Sequence, residues 1–89
     1  MVEGILTVVG RVLNAVNLHG IAGLRVDVRR GNNKASAVTD QKGSFTVTFN
    51  ASQHPSLFKG KKPHVNFTFE VFAGETLIKT AREAVPRDP

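Results

Sequence analysis

Residues 37–49 read Ala-Val-Thr-Asp-Gln-Lys-Gly-Ser-Phe-Thr-Val-Thr-Phe. From Ser44 onward the side chains alternate, with Phe45, Val47 and Phe49 on one side and Ser44, Thr46 and Thr48 on the other. That period of two marks a half-buried β-strand and is foreign to an amphipathic helix. Ahead of it, Asp40 is placed to accept hydrogen bonds from the backbone two residues on, as Asp does at the first position of a turn. Gly43 then supplies the left-handed backbone that closes the turn. The stretch is therefore a tight connection between two strands, and a large aromatic enters the core directly after it. Asp40 as a metal ligand or catalytic acid is the alternative reading; the turn accounts for it without further partners.

The same alternation recurs on either side. Leu24, Val26 and Val28 oppose Arg25, Asp27 and Arg29, and Gly31-Asn32 offers a two-residue hairpin turn in which both residues accept positive φ. Residues 34–39 form the returning strand, poor in large side chains and expected near an edge. In residues 5–12, Leu6, Val8 and Val12 oppose Thr7 and Arg11. Further on, Val65, Phe67, Phe69 and Val71 oppose Asn66, Thr68 and Glu70. A turn around Ala73-Gly74-Glu75 leads to a strand over 76–80, and Pro86 and Pro89 stop regular structure. Residues 50–63 are a long polar connection in which Ser52 caps a single helical turn and Leu57 and Phe58 tuck onto the core. No long segment has a 3.6-residue period. The chain reads as all-β, a small antiparallel β-sandwich of about seven strands. Its expected core is Leu6, Val8, Val26, Val28, Phe45, Val47, Phe67 and Phe69.

Composition narrows the function. Residues 1–89 suffice for one domain and not two. With no cysteine there is no disulfide framework, thiol nucleophile or Cys-type zinc site. No apolar run approaches the ~18 residues that cross a membrane as a helix. The opening Met-Val-Glu-Gly-Ile lacks the basic and apolar regions of a signal peptide. Twelve Lys and Arg against seven Asp and Glu give a net charge of +5, which keeps a small domain soluble and also attracts acidic partners.

Three stretches carry a family likeness: Val9-Gly10-Arg11-Val12, Gly20-Ile21-Ala22-Gly23-Leu24-Arg25-Val26 and Thr39-Asp40-Gln41-Lys42-Gly43-Ser44-Phe45. In this order they resemble the carboxypeptidase regulatory-like domains. The stretch from Lys62 to Phe72 looks like the matching strand of bacterial members. The likeness spans roughly residues 5–82 and implies a transthyretin-like (prealbumin-like) fold and an accessory role inside larger bacterial secreted proteins or toxin complexes. A secreted or cell-surface location would follow from such a parent protein. Two positions depart from the pattern: Gly20 stands where proline is frequent, and His64 where an acidic residue often follows Lys-Pro. The hydrolases of similar fold use paired histidines and a C-terminal Tyr-Arg-Gly-Ser, whereas this chain has no Tyr and ends Val85-Pro86-Arg87-Asp88-Pro89. An isopeptide crosslink from a first-strand lysine is not expected either, since the first lysine is Lys34.

Other chemistry finds little support. His19, His54 and His64 are scattered, no Gly-x-Ser-x-Gly elbow holds a serine, and no Gly-rich phosphate loop is present. The expectation is a non-catalytic domain with no cofactor and no metal. The segment Lys59-Gly60-Lys61-Lys62-Pro63-His64 is the one candidate binding feature, with Lys59, Lys61, Lys62 and His64 as its residues. It reads either as a solvated loop or as a loop that recognises anions, joined by Arg29, Arg30 and Lys34. Nucleic acid is not an expected partner, because the Phe residues sit at core periodicity and are not interleaved with the basic ones. Two readings remain: an accessory domain contacting a protein partner or other domains of its parent chain, and an independent module for an acidic ligand such as a glycan, nucleic acid or anionic surface.

Overall fold

The structure is a computed structural model that describes residues 4–58 and 64–86. Among the described residues six strands appear in place of about seven: β1 (Ile5–Arg11), β2 (Arg25–Arg30), β3 (Asn33–Val38), β4 (Ser44–Asn50), β5 (His64–Ala73) and β6 (Thr76–Pro86). A 3₁₀ turn, Pro55–Phe58, lies between β4 and β5. The strands form two antiparallel sheets, a pair β1-β4 and a four-stranded sheet in the order β3-β2-β5-β6. The protein is all-β, and the two sheets pack face to face as a β-sandwich.

The alternation in the sequence decides which faces meet. Leu6 and Val8 of β1 and Phe45, Val47 and Phe49 of β4 are buried, as are Val26 and Val28 of β2 and Val65, Phe67 and Val71 of β5. Aromatic rings join the layers. Phe49 stacks on Phe67 with centroids 5.3 Å apart, and Phe45 meets Phe69 at 6.3 Å. Leu57, 2% exposed, and the partly buried Phe58 close the core from the 3₁₀ turn, as expected. Asn50, not Ser52, organises the approach to that turn: its side-chain oxygen accepts the Gln53 N–H at 2.8 Å. Phe69 departs from the expected core. It is only half-buried, because the β1-β4 pair is too narrow to cover the whole four-stranded sheet.

Other expectations need adjustment. The Gly31-Asn32 turn has positive φ at Gly31 (59°) and not at Asn32. That is the sign pattern of a II′ turn, which needs glycine only at its first central position. The last strand runs to Pro86, well beyond residue 80. Opposite β5 it has ladder partners along its length, Pro86 itself facing His64. Most important, the turn at 39–43 does not join neighbouring strands of one sheet. It carries the chain from β3 in one sheet to β4 in the other.

Thr39 fixes that crossing. Its N–H donates to the Leu24 carbonyl at 2.9 Å, and its carbonyl accepts the Gly23 N–H at 3.0 Å. Its hydroxyl donates to the Ile21 carbonyl at 2.6 Å and accepts the Leu24 N–H at 3.0 Å. Every polar group of this buried threonine is thus satisfied, and the last residue before the crossing is pinned to the strand that starts the four-stranded sheet.

Candidate functional site

Asp40 and Gly43 are structural. The Asp40 carboxylate accepts N–H groups from Lys42 at 2.8 Å and Ser44 at 2.9 Å. Those donors, Ser44 first, hold its pKa below the ordinary carboxylate value. The Gly43 N–H donates to the Asp40 carbonyl at 2.9 Å, and Gly43 has φ +77°.

Lys59, Lys61 and Lys62 lie outside the described residues. His64 begins β5 and is exposed. By alternation with buried Val65 and Phe67, His64 shares the outer face of the four-stranded sheet with Asn66 and Thr68. On that face Lys34, Arg29, Thr68 and Arg82 form one row across β3, β2, β5 and β6. Arg29, Arg30 and Arg82 border a depression of about 370 Å³ floored by Asn66 and Thr68. Arg30 Nη1 donates to the Asn66 carbonyl at 3.0 Å, and Arg29 reaches Glu70 at 3.5 Å.

Asp27 was not singled out by its sequence context, which places it on the polar side of β2. It is on that side, yet only 2% exposed. Ser36 donates to it at 2.6 Å, and Arg25 and Lys34 stand 3.3 and 3.4 Å away. Burial alone would raise its pKa, but the Ser36 hydrogen bond and the Lys34 and Arg25 charges outweigh it and the value falls. This is an ion-pair network that ties β2 to β3. A single acidic residue such as Asp27 gives no hint of burial until the ladder register sets Ser36 and Lys34 around it. His54 is likewise occupied, its Nδ1 3.0 Å from Asn33 Oδ1 and its ring edge-on to Phe49. Among the described residues no group of three or more His, Cys, Asp or Glu is placed to hold a metal, and no helix is long and apolar enough to cross a membrane.

Two features remain that a partner can use. The first is the pair of edges of the four-stranded sheet, β3, the strand expected near an edge from its sequence, and β6. Because Thr39 N–H points to Leu24, the two-residue alternation of the ladder directs the N–H groups of Ala37 and Ala35 to β2 and those of Val38 and Lys34 away from it. The second is a mostly apolar groove of about 700 Å³ between β1 and β6. Its floor is Phe45, Phe69, Val26 and Val71, with Ala81 and Val85 on the β6 wall. The sequence concealed it, since it follows from how far each sheet extends.

In comparisons with known proteins the chain matches no family model, no curated protein and no solved structure.

Proposed function

We propose that the domain is a non-catalytic adaptor of the transthyretin-like, carboxypeptidase regulatory-like kind, and that it makes protein–protein contacts within a larger bacterial secreted or delivered protein. The observation that carries this reading is the pair of edges on the four-stranded sheet that no described strand pairs with. An exposed edge presents a row of unpaired N–H and C=O groups that a strand of another domain can extend. The edge β3 is short, its inward residues are Ala35 and Ala37, and the outward Val38 is 64% exposed.

The test is a pull-down of the parent protein, comparing wild type with Val38→Pro and with a triple charge reversal at Lys59, Lys61 and Lys62. Proline at Val38 removes an N–H that faces away from β2, so the fold survives while strand addition is blocked. Loss of capture by Val38→Pro, with the charge reversal altering only the rate of association, is the expected result. Capture that is unchanged in Val38→Pro, and in proline variants of β6 that fold, would sink the edge reading.

A second reading, an acidic ligand bound through residues 59–64, draws support from Arg29 and Arg82, on the face shared by His64, and from Arg30, which borders the same depression. Binding driven by released counterions weakens steeply with salt, whereas a packed protein interface does not. A steep salt dependence abolished by Arg82→Glu would favour this second reading.

A further inference from the structure

We infer that the groove between β1 and β6 is the seat of one extended β-strand, donated by the protein with which the domain assembles and paired to the free edge of β1. This rests on the adaptor reading and adds to it a second acceptor surface, separate from the outer edges of β3 and β6.

The argument starts from the mismatch of the sheets. Among the described residues two strands lie against four, and β6, at the edge of the larger sheet, keeps most of its residues exposed. The ladder pairs Val71, Phe69, Phe67 and Val65 of β5 with Lys79, Ala81, Glu83 and Val85 of β6, so these four β6 residues occupy the inner face. In a closed sandwich such residues are buried. Here Lys79 and Glu83 are exposed, Ala81 and Val85 half-buried, and Phe69 half-buried beside them. Inward charges on an edge strand also discourage indiscriminate pairing.

The backbone of β1 offers the missing ladder. Val12 N–H donates to the Gly43 carbonyl, and Ala51 N–H donates to the Gly4 carbonyl. In the β1-β4 register this directs the N–H groups of Leu6 and Val8 to β4 and those of Thr7 and Val9 to the open side. The space beside β1 is thus bounded by a hydrogen-bonding edge on one side, an apolar floor below and the inner face of β6 opposite.

Shape selects the occupant. A second copy that brought its own β1 alongside would also bring a four-stranded sheet to the space that β6 already borders. A lone strand meets no such obstacle. Its inward residues would follow the sequence of the wall: acidic facing Lys79, apolar over Ala81, basic facing Glu83, apolar over Val85. Gly10 lies opposite Phe45, whose ring meets Phe69, the partner of Ala81. Leu6 lies opposite Phe49, which stacks on Phe67, the partner of Glu83. The wall charges therefore map onto the length of β1, with Lys79 at its Arg11 end, and they give the groove a direction.

The experiment uses the 89-residue chain and two capped heptapeptides, Asp-Thr-Val-Thr-Lys-Thr-Val and its reverse, with residue-resolved amide exchange and binding titrations. One orientation should bind better and should slow exchange at Thr7 and Val9, with little change at Leu6 and Val8. The double variant Lys79→Glu with Glu83→Lys alters only exposed side chains. It should lower affinity for that peptide roughly fivefold and favour the peptide with Asp and Lys exchanged, as two partly exposed charge pairs allow. Protection that appears at β3 or at the outer edge of β6 and not at Thr7 and Val9 would overturn the groove while leaving edge pairing intact. Protection nowhere would overturn strand addition to this domain altogether, and protection of Thr7 and Val9 that grows with protein concentration and needs no peptide would assign the groove to a second copy instead.

Discussion

Replacing Gly43 by alanine tests the crossing between the sheets, and Gly23 provides its control. Both glycines have φ +77°. An added Cβ at Gly23 meets nothing within 4 Å, so Gly23→Ala reports only the left-handed backbone penalty, about 1 kcal/mol. At Gly43 the same Cβ would collide with the Val12 carbonyl oxygen and lie 2.8 Å from Gly20 Cα and Ile21 N. All three obstacles are backbone and cannot rotate aside. Val12 also accepts the Ile21 N–H at 3.0 Å and donates to the Gly43 carbonyl at 2.8 Å. Relieving the collision stretches both hydrogen bonds, each worth about 1 kcal/mol net. Gly43→Ala should therefore cost about 3–4 kcal/mol, and the β-branched Gly43→Val more. For a domain of this size 1 kcal/mol moves Tm by roughly 4–8 °C. Gly23→Ala should lower Tm by about 5 °C and Gly43→Ala by about 15 °C or more. With no Trp or Tyr, unfolding is followed by far-UV circular dichroism and urea titration. Equal losses in the two variants would refute the claim that backbone contact, and not φ alone, requires glycine at 43.

Two further outcomes follow from the core and the ion-pair network. Phe67, 1% exposed and stacked on Phe49, should cost about 3–5 kcal/mol when cut to alanine, close to the whole stability of so small a domain; a Phe67→Ala variant that melts like the parent would contradict the packing. Asp27 has a folded pKa below its ordinary 3.8, so the folded state binds fewer protons than the unfolded one at mildly acid pH. Its contribution is present above about pH 4 and is lost as pH falls through the depressed folded value. Asp27→Asn should destabilise at pH 7 by about 1–2 kcal/mol, toward the low end because Arg25 and Lys34 are half exposed, and the gap to wild type should close in acid; a gap that widens below pH 4 would show the sign is wrong.

Much of this protein was legible because the deciding interactions are local. Asp40 and Gly43 lie within one turn, and the hydrogen bonds that close it, to the Asp40 carboxylate and carbonyl, join residues at most four apart, so residue type and spacing specify the turn geometry. Period-two alternation likewise identified the strands and most of the buried set, because side chains in a strand point to alternate faces whatever lies beyond. Pairing is a different matter. Nothing in residues 37–49 says that β3 and β4 belong to different sheets; that follows from Thr39 docking onto Ile21 and Leu24, 15–18 residues away. Lys79 and Glu83 look like ordinary surface charges until the β5 register turns them to the inner face, and Asp27 looks exposed until Ser36 and Lys34 are set beside it. The groove follows only from the unequal widths of two sheets, a property of the assembled chain. Local chemistry thus determined the strands and the turn, while the tertiary structure decided which edges stay open, because edges are defined by partners distant in sequence.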